Sequence, residues 1–167
     1  MEITKVPCKG LTSEEYEKSL KVKWDPELKY AWDNGIGIGK YLAALKDGAI
    51  LAAKCDCCGR LMLPARAFCE MCWRPTDGYV PVKDTGTVNT FAICHVNWDA
   101  SRLKDDEPRH LPAVIMIDDL NGQGMMHLLG NVKPEEIKIG MRVKAVWKPE
   151  KERTGSITDI KFFEPIK

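Results

Sequence analysis

The chain has 167 residues, of which 44% are hydrophobic and 29% charged, and its formal net charge is +1. This is an ordinary composition for a soluble globular protein with one sizeable core or two small ones. Because basic and acidic residues stay balanced along the chain and no apolar run reaches about 18 residues, the sequence argues against a basic groove for nucleic acid and against a membrane span.

Residues 1–37 are predicted to form an N-terminal extension with one short helix. Thr12-Ser-Glu-Glu15 fits a capping box, so the helix would begin there and run to Leu20. The aromatic residues Trp24, Tyr30 and Trp32 follow in a stretch without clear periodicity. Two interpretations stay open for these aromatic side chains. They pack on this chain's own core, or they dock onto a partner protein, because Trp and Tyr commonly anchor interfaces.

Residues 38–78 are predicted to contain a helix followed by a metal-binding ribbon. The helix would span Ile38 to Lys46 and end at Gly48, where a left-handed backbone suits glycine. A short strand, Ala49 to Lys54, would then lead into the ribbon.

The ribbon prediction depends on two C-x-x-C pairs separated by ten residues, Cys55 with Cys58 and Cys69 with Cys72. Two such pairs on tight turns place four thiolates at the corners of a tetrahedron, the geometry of a structural zinc ion. Four thiolates leave no open coordination position, so the metal would have no catalytic role.

The same cysteines could in principle form disulfides or hold another metal. Disulfides are disfavoured because the chain shows no secretory signal and has seven cysteines, an odd number, and we expect a reducing cytoplasmic location. An iron centre of the rubredoxin type has the same ligand set and stays open. Cys57 lies between two ligands and is interpreted as a spare thiol.

Residues 79–167 are predicted to form a five-stranded OB-fold barrel, so the fold class is mainly β with N-terminal helices. The Asn121-Gly122 pair predicts a hairpin turn, and Pro134–Ile137 a single helical turn between the third and fourth strands. The predicted strands are Tyr79–Val82 continued by Gly86–Val96, Pro112–Asp118, Gly124–Leu129, Met141–Trp147 and Ile157–Phe163.

A catalytic constellation is not evident in the sequence. Cys94 and His95 are neighbours on a predicted strand and would point to opposite faces. His127 lies in an apolar strand and is interpreted as a packed or hydrogen-bonded histidine. The polar segment Asn97–Leu111 is interpreted as a long solvated loop, although loops of this length are often functional.

These motifs resemble an acyl-CoA-associated family in which a rubredoxin-like zinc ribbon precedes an OB-fold. The resemblance covers about residues 38–165. Its matching motifs are Tyr41-Leu-Ala-Ala-Leu-Lys-Asp-Gly48, the four cysteines with Gly59 and Pro64-Ala-Arg66, Gly86-Thr-Val88, Pro112-Ala-Val-Ile-Met-Ile-Asp118 and Ile139-Gly-Met-Arg-Val143. The extra Cys57, and Ala65 in place of a second proline, depart from the family pattern.

The resemblance implies a non-catalytic accessory subunit beside a thiolase, a hydroxymethylglutaryl-CoA synthase or a sterol side-chain aldolase. Such a subunit would stabilise its partner and help to bind or pass acyl-CoA. The long N-terminus is similar to the zinc-finger subunit of benzoylsuccinyl-CoA thiolase, which acts in anaerobic toluene degradation. The partner would then supply the catalytic residues.

Within this framework Lys54, Arg60 and Arg66 are predicted to contact coenzyme A phosphates, because a few placed cations suffice to hold them. Ordinary solvated charges are the alternative for these side chains. For the whole chain, the alternatives are an OB-fold and zinc-ribbon protein that binds single-stranded nucleic acid, and a solitary acyl-CoA carrier.

Overall fold

The computed structural model describes residues 10–22, 27, 29–97, 99–104 and 106–166, and it divides the chain into two compact units, residues 1–33 and 34–167. In the first unit, helix α1 spans Ser13–Leu20, as the capping box predicts. The Thr12 N–H donates to Glu15 Oε2 at 2.8 Å, and the Glu15 N–H donates to Thr12 Oγ1 at 3.3 Å. Trp24 lies outside the described residues.

In the second unit, helix α2 spans Gly35–Lys46 and therefore begins three residues before the predicted start. Gly35-Ile-Gly-Ile-Gly39 is a poor helix former, since glycine costs about 1 kcal/mol per position relative to alanine. A tertiary contact overrides this preference: a Cβ on Gly37 would lie 2.9 Å from the Ala65 carbonyl oxygen. The helix ends at Lys46 with Asp47 as its C-cap, and Gly48 follows with a φ of +79°, as predicted for the glycine that terminates the helix. Neither α1 nor α2, nor any other described helical segment, is long and apolar enough to cross a membrane.

The ribbon consists of short antiparallel strands. Strand β1 (Ile50–Lys54) pairs on one side with β2 (Leu61–Met62) and on the other with β5 (Gly78–Val82), and β3 (Phe68–Cys69) pairs with β4 (Arg74–Pro75). The segment Tyr79–Val96, expected to form one continuous strand, is thus two strands, Gly78–Val82 and Thr85–Phe91. The first of these, β5, pairs with the ribbon strand β1.

The barrel is a five-stranded antiparallel sheet in the order β10-β9-β6-β7-β8. A parallel bridge between Leu129 and Phe163 brings the two outer strands together, and fully buried residues such as Ile115 and Phe163 fill the interior. This confirms the predicted five-stranded OB-fold, with a 3-10 turn at Pro134–Glu136 between the third and fourth strands. The strands are β6 (Thr85–Phe91), β7 (Pro112–Ile117), β8 (Gly124–Leu128), β9 (Arg142–Trp147) and β10 (Ile160–Pro165).

The polar segment between β6 and β7 has more structure than the expected solvated loop. The Cys94 N–H donates to the His110 carbonyl at 3.0 Å, and Val96 forms a β-bridge with Arg102. The β6–β7 hairpin therefore continues past the barrel. The polar composition of the segment did not predict this pairing, because the hydrogen bonds join backbone groups and do not depend on the type of side chain.

Gln123, in the β7–β8 turn, connects the ribbon to the barrel. Its side-chain Nε2 donates to the Leu61 carbonyl at 2.6 Å, and its Oε1 accepts from the Leu63 N–H at 3.1 Å. The amide thus bonds to the backbone of β2 as a neighbouring strand would.

Asp159 organises the loop between β9 and β10. Its carboxylate is fully buried and accepts backbone N–H bonds from Thr154, Gly155 and Ser156 at 2.7 to 3.2 Å. Burial raises the pKa of Asp159, but these N–H groups and Lys148 outweigh it, so the pKa lies below its usual value. The folded loop places Gly155 against the Leu42 carbonyl of α2. A Cβ on Gly155 would lie 3.3 Å from that carbonyl oxygen.

Replacing Asp159 by Asn should lower the free energy of unfolding by about 2 kcal/mol, because bonds to a charged acceptor are lost and an N–H donor then faces other donors. The lowered pKa means that the stabilisation is present above the usual carboxyl range and is lost as pH falls through the native value. Urea unfolding at pH 7 and at pH 3 measures both effects. Glu152→Gln, at an exposed carboxylate in the same loop, is the control and should change little. Equal midpoints for the two variants at pH 7 would contradict this role.

Candidate metal centre

Two similar turns position the four predicted cysteine ligands. Cys55 follows β1, and its N–H donates to the Arg60 carbonyl at 2.9 Å, while the Gly59 N–H donates back to the Cys55 carbonyl at 2.8 Å. In the second turn the Trp73 N–H donates to the Cys69 carbonyl at 2.9 Å. Each pair of cysteines therefore lies on a tight turn closed by backbone bonds.

Both turns have a left-handed residue four positions after their first cysteine. Gly59 has a φ of +71°, which glycine adopts at little cost. Trp73 has a φ of +54° and is 79% exposed. A non-glycine residue in this region costs about 1–3 kcal/mol and persists where surrounding structure imposes it. The repeated geometry indicates that the backbone conformation of both turns brings the sulfur atoms together.

The structure brings together Cys55, Cys58, Cys69 and Cys72, whose Sγ atoms all lie within 4.8 Å of one another. The Sγ atoms of Cys58 and Cys69 are 3.7 Å apart. A tetrahedral zinc ion with Zn–S bonds of about 2.3 Å requires sulfur atoms about 3.8 Å apart. The donor set and its spacing therefore fit a structural zinc ion, which would crosslink the two turns.

The electrostatics of the cluster also favour a bound dication. Contact with the Cys58 thiol, followed by burial, raises the pKa of Cys72. Backbone N–H groups of Cys72 and then Met71 help to lower the pKa of Cys69 to about 7. Four thiolate charges this close would repel one another, and a divalent ion supplies the charge that lets all four bind as thiolates.

Comparison with known proteins agrees with this geometry. Residues 42–77 match the family described as ChsH2, rubredoxin-like zinc ribbon domain, and residues 79–148 match ChsH2, C-terminal OB-fold domain. A DUF35 domain-containing scaffold protein from Methanocaldococcus jannaschii is 31% identical over 121 residues, which are 70% of this chain and 82% of that protein. This chain belongs to the DUF35 family. The resemblance drawn from the sequence motifs is confirmed.

Two solved structures share the fold of this DUF35 protein. A DUF35 family protein of unknown function from Sulfolobus solfataricus aligns with a TM-score of 0.54 and 26% identity, covering 68% of this chain and 77% of that one. A chain from the structure described as Ltp2-ChsH2(DUF35) aldolase aligns with a TM-score of 0.59 and 20% identity, covering 82% of this chain and 98% of that one. At 20% identity the second likeness concerns the fold alone.

Cys57 does not belong to the group of four sulfur atoms that could hold a metal. It is exposed in the first turn, as is its neighbour Cys58, so position relative to the other sulfur atoms and not exposure separates the two thiols. The interpretation of Cys57 as a spare thiol thus remains our prediction for this DUF35 protein.

The three predicted phosphate contacts lie on the ribbon but are not gathered in one place. Arg60 and Arg66 both reach Glu70, at 3.4 and 3.1 Å, whereas Lys54 pairs with Asp56 at 2.6 Å. The backbone N–H of Glu70, followed by Arg66 and Arg60, keeps the pKa of Glu70 below its usual value against the effect of burial.

Sequence reasoning missed two acidic residues that organise the ribbon, Glu70 and Asp77. Asp77 accepts from the Asp56 N–H at 2.7 Å and from Arg74 at 3.0 Å, which ties the first turn to the second hairpin. The Arg66-x-x-x-Glu70 and Arg74-x-x-Asp77 spacings were available as ion-pair signals, but their convergence required the folded turns.

The histidine expected to be packed is confirmed in that role. The His127 Nε2 lies 3.2 Å from the Ile157 carbonyl oxygen, and its ring meets Phe163 edge-on with centroids 5.7 Å apart. These contacts use the ring to join β8 to β10.

Cys58→Ser should lose the metal and destabilise the ribbon, because one of four thiolates is removed from a crosslink between short hairpins. Cys57→Ser, one residue away, should retain about one zinc per chain. Elemental analysis of the purified variants, together with thermal unfolding before and after chelation, measures both outcomes. Loss of metal from Cys57→Ser with retention in Cys58→Ser would exchange the roles assigned to the two thiols.

Proposed function

We propose that this DUF35 protein is a non-catalytic zinc-containing accessory subunit of a cytoplasmic thiolase-type complex in acyl-CoA metabolism. Cys55, Cys58, Cys69 and Cys72 would be its zinc ligands. It would stabilise a partner that is itself a thiolase, a hydroxymethylglutaryl-CoA synthase or an aldolase, and would help to bind or pass acyl-CoA. The narrower form of the proposal is benzoylsuccinyl-CoA as substrate, in anaerobic toluene degradation.

The observation that carries the proposal is family membership combined with a four-sulfur site. A relative is described as a scaffold protein, and a chain of the same fold comes from a structure described as an Ltp2 aldolase with ChsH2. A metal ion bound by four cysteine sulfur atoms has no free coordination position for a substrate. The ion would therefore have a structural role. Both features suit a subunit that supports chemistry performed by another chain.

The proposal is tested by purifying the full chain together with candidate thiolase-type subunits from its own genome. We expect a stable hetero-oligomer that elutes as one peak in size-exclusion chromatography, with acyl-CoA turnover that depends on the partner's cysteine and histidine residues. The isolated chain should turn over no acyl-CoA thioester. Turnover by the isolated chain, or salt-sensitive binding of single-stranded oligonucleotides without any thiolase-type partner, would contradict the proposal.

A coenzyme A contact at the ribbon fits the arrangement of Arg60 and Arg66. Their guanidinium groups converge on the single carboxylate of Glu70, and two guanidinium groups that share one anion can also share a phosphate. Glu70 would compete with that phosphate for both side chains. Lys54, paired with Asp56 at an exposed position, would add a more peripheral contact.

Arg66→Ala should weaken coenzyme A binding to the reconstituted complex by about tenfold, the loss of one charge-assisted interaction at a partly exposed site. Glu70→Gln should strengthen binding, because the competing carboxylate is removed. Arg102→Ala, an exposed arginine on the β6–β7 hairpin, is the control. Isothermal titration calorimetry measures all three affinities, and an unchanged affinity for Arg66→Ala would remove that residue from the site.

A further inference from the structure

Every described residue of the N-terminal unit, residues 1–33, is exposed. The exposed set includes large apolar side chains of the kind that folded proteins usually cover. They are Leu11 (64% exposed), Tyr16 (54%), Leu20 (63%), Val22 (70%), Tyr30 (68%) and Trp32 (81%). Tyr30 and Trp32 belong to the aromatic residues interpreted above as packing on this chain's own core or docking onto a partner.

Exposed apolar side chains do not offset the cost of ordering this segment. Fixing the backbone costs about 1–2 kcal/mol per residue, and burial of apolar surface is the main compensation. Helix α1 has only eight residues and buries none of them, so it is marginal in isolation. A surface that covers these side chains is therefore needed for a stable segment.

The helix is already shaped for one-sided contact. Tyr16 and Leu20 are four residues apart and share one face, and Leu11 occupies the position before the N-cap from which it can reach Tyr16. Glu14 and Lys18 lie on the opposite face. The capping box between Thr12 and Glu15 stabilises the first turn, which lowers the entropy lost on docking.

The position and apolar area of the segment suit a partner subunit. The matched family domains begin at residue 42, so the segment precedes the part shared with those families. The three aromatic side chains among the six exposed ones, Tyr16, Tyr30 and Trp32, can each bury about 150–250 Å² in a contact. One side of a standard protein–protein interface buries about 800 Å².

We infer that residues 11–22 and 29–32 form a docking segment for the thiolase-type partner, an inference that rests on the proposed function. Helix α1 seats Leu11, Tyr16 and Leu20 in an apolar groove of that subunit, and Trp32 with its stacked neighbour Tyr30 provides a second anchor. The ring centroids of Tyr30 and Trp32 are 5.7 Å apart, which presents them as one aromatic surface. Three glutamates against one lysine make α1 acidic, so the groove has a basic rim.

The test compares full-length variants in binding to the co-purified thiolase-type subunit, measured by biolayer interferometry. Trp32→Ala and the double variant Tyr16→Ala/Leu20→Ala should each weaken binding by about 30-fold, the effect of losing an interface hot spot. Lys18→Arg, on the opposite face of the same helix and with the charge kept, is the matched control and should bind like the wild type. Glu14→Gln/Glu17→Gln should reduce the salt dependence of the association rate.

The thermal midpoint of each free variant separates docking from packing within the chain. We expect Trp32→Ala and Tyr16→Ala/Leu20→Ala to unfold within about 1 °C of the wild type, because exposed side chains contribute little to stability. A drop of several degrees in the free chain, or wild-type affinity of both variants for the subunit, would overturn the docking segment while leaving the proposed function intact. If the wild-type chain binds no thiolase-type subunit, the proposed function fails and the docking segment with it.

Discussion

Convergence of four cysteine sulfur atoms is the constraint on which the ribbon depends. Strands β2, β3 and β4 have two residues each, and hairpins of that length are not stable in water by themselves. The buried ribbon side chains between and around them, such as Ala52, Ala53 and Ala65, are mostly small. A metal held by all four sulfur atoms would connect the two hairpins where apolar burial is insufficient.

Polar contacts to the backbone add to the apolar packing between the ribbon and the barrel. Gln123 bonds to the main chain of β2, and Asp159 folds the β9–β10 loop so that Gly155 meets α2. The same elements also share one buried apolar cluster, which includes Leu45, Met62, Ile115 and Phe163. The ribbon and the barrel are therefore packed together as well as hydrogen-bonded.

The division of labour within the chain follows from these features. A closed thiolate site contributes geometry, the barrel contributes stability, and the balanced charge gives no broad field for attracting nucleic acid. The exposed or partly exposed side chains include two arginines that share Glu70 on the ribbon, and the apolar side chains of residues 11–22 and 29–32. We interpret the first as a ligand contact and the second as the contact that selects a partner.

The sequence by itself determined the elements that obey local rules. The C-x-x-C spacing, the capping box at Thr12, the end of α2 at Gly48 and the Asn121-Gly122 turn each involve residues a few positions apart, so the chemistry is readable from order alone. Only the tertiary structure decided the early start of α2, the pairing of β5 with β1 and the backbone hydrogen bonds to the Asp159 carboxylate. The physical reason is that these features depend on contacts between segments that are distant in the sequence. The packing against Gly37 and the backbone donors to the buried Asp159 carboxylate exist only when the chain is folded, so local sequence patterns do not predict them.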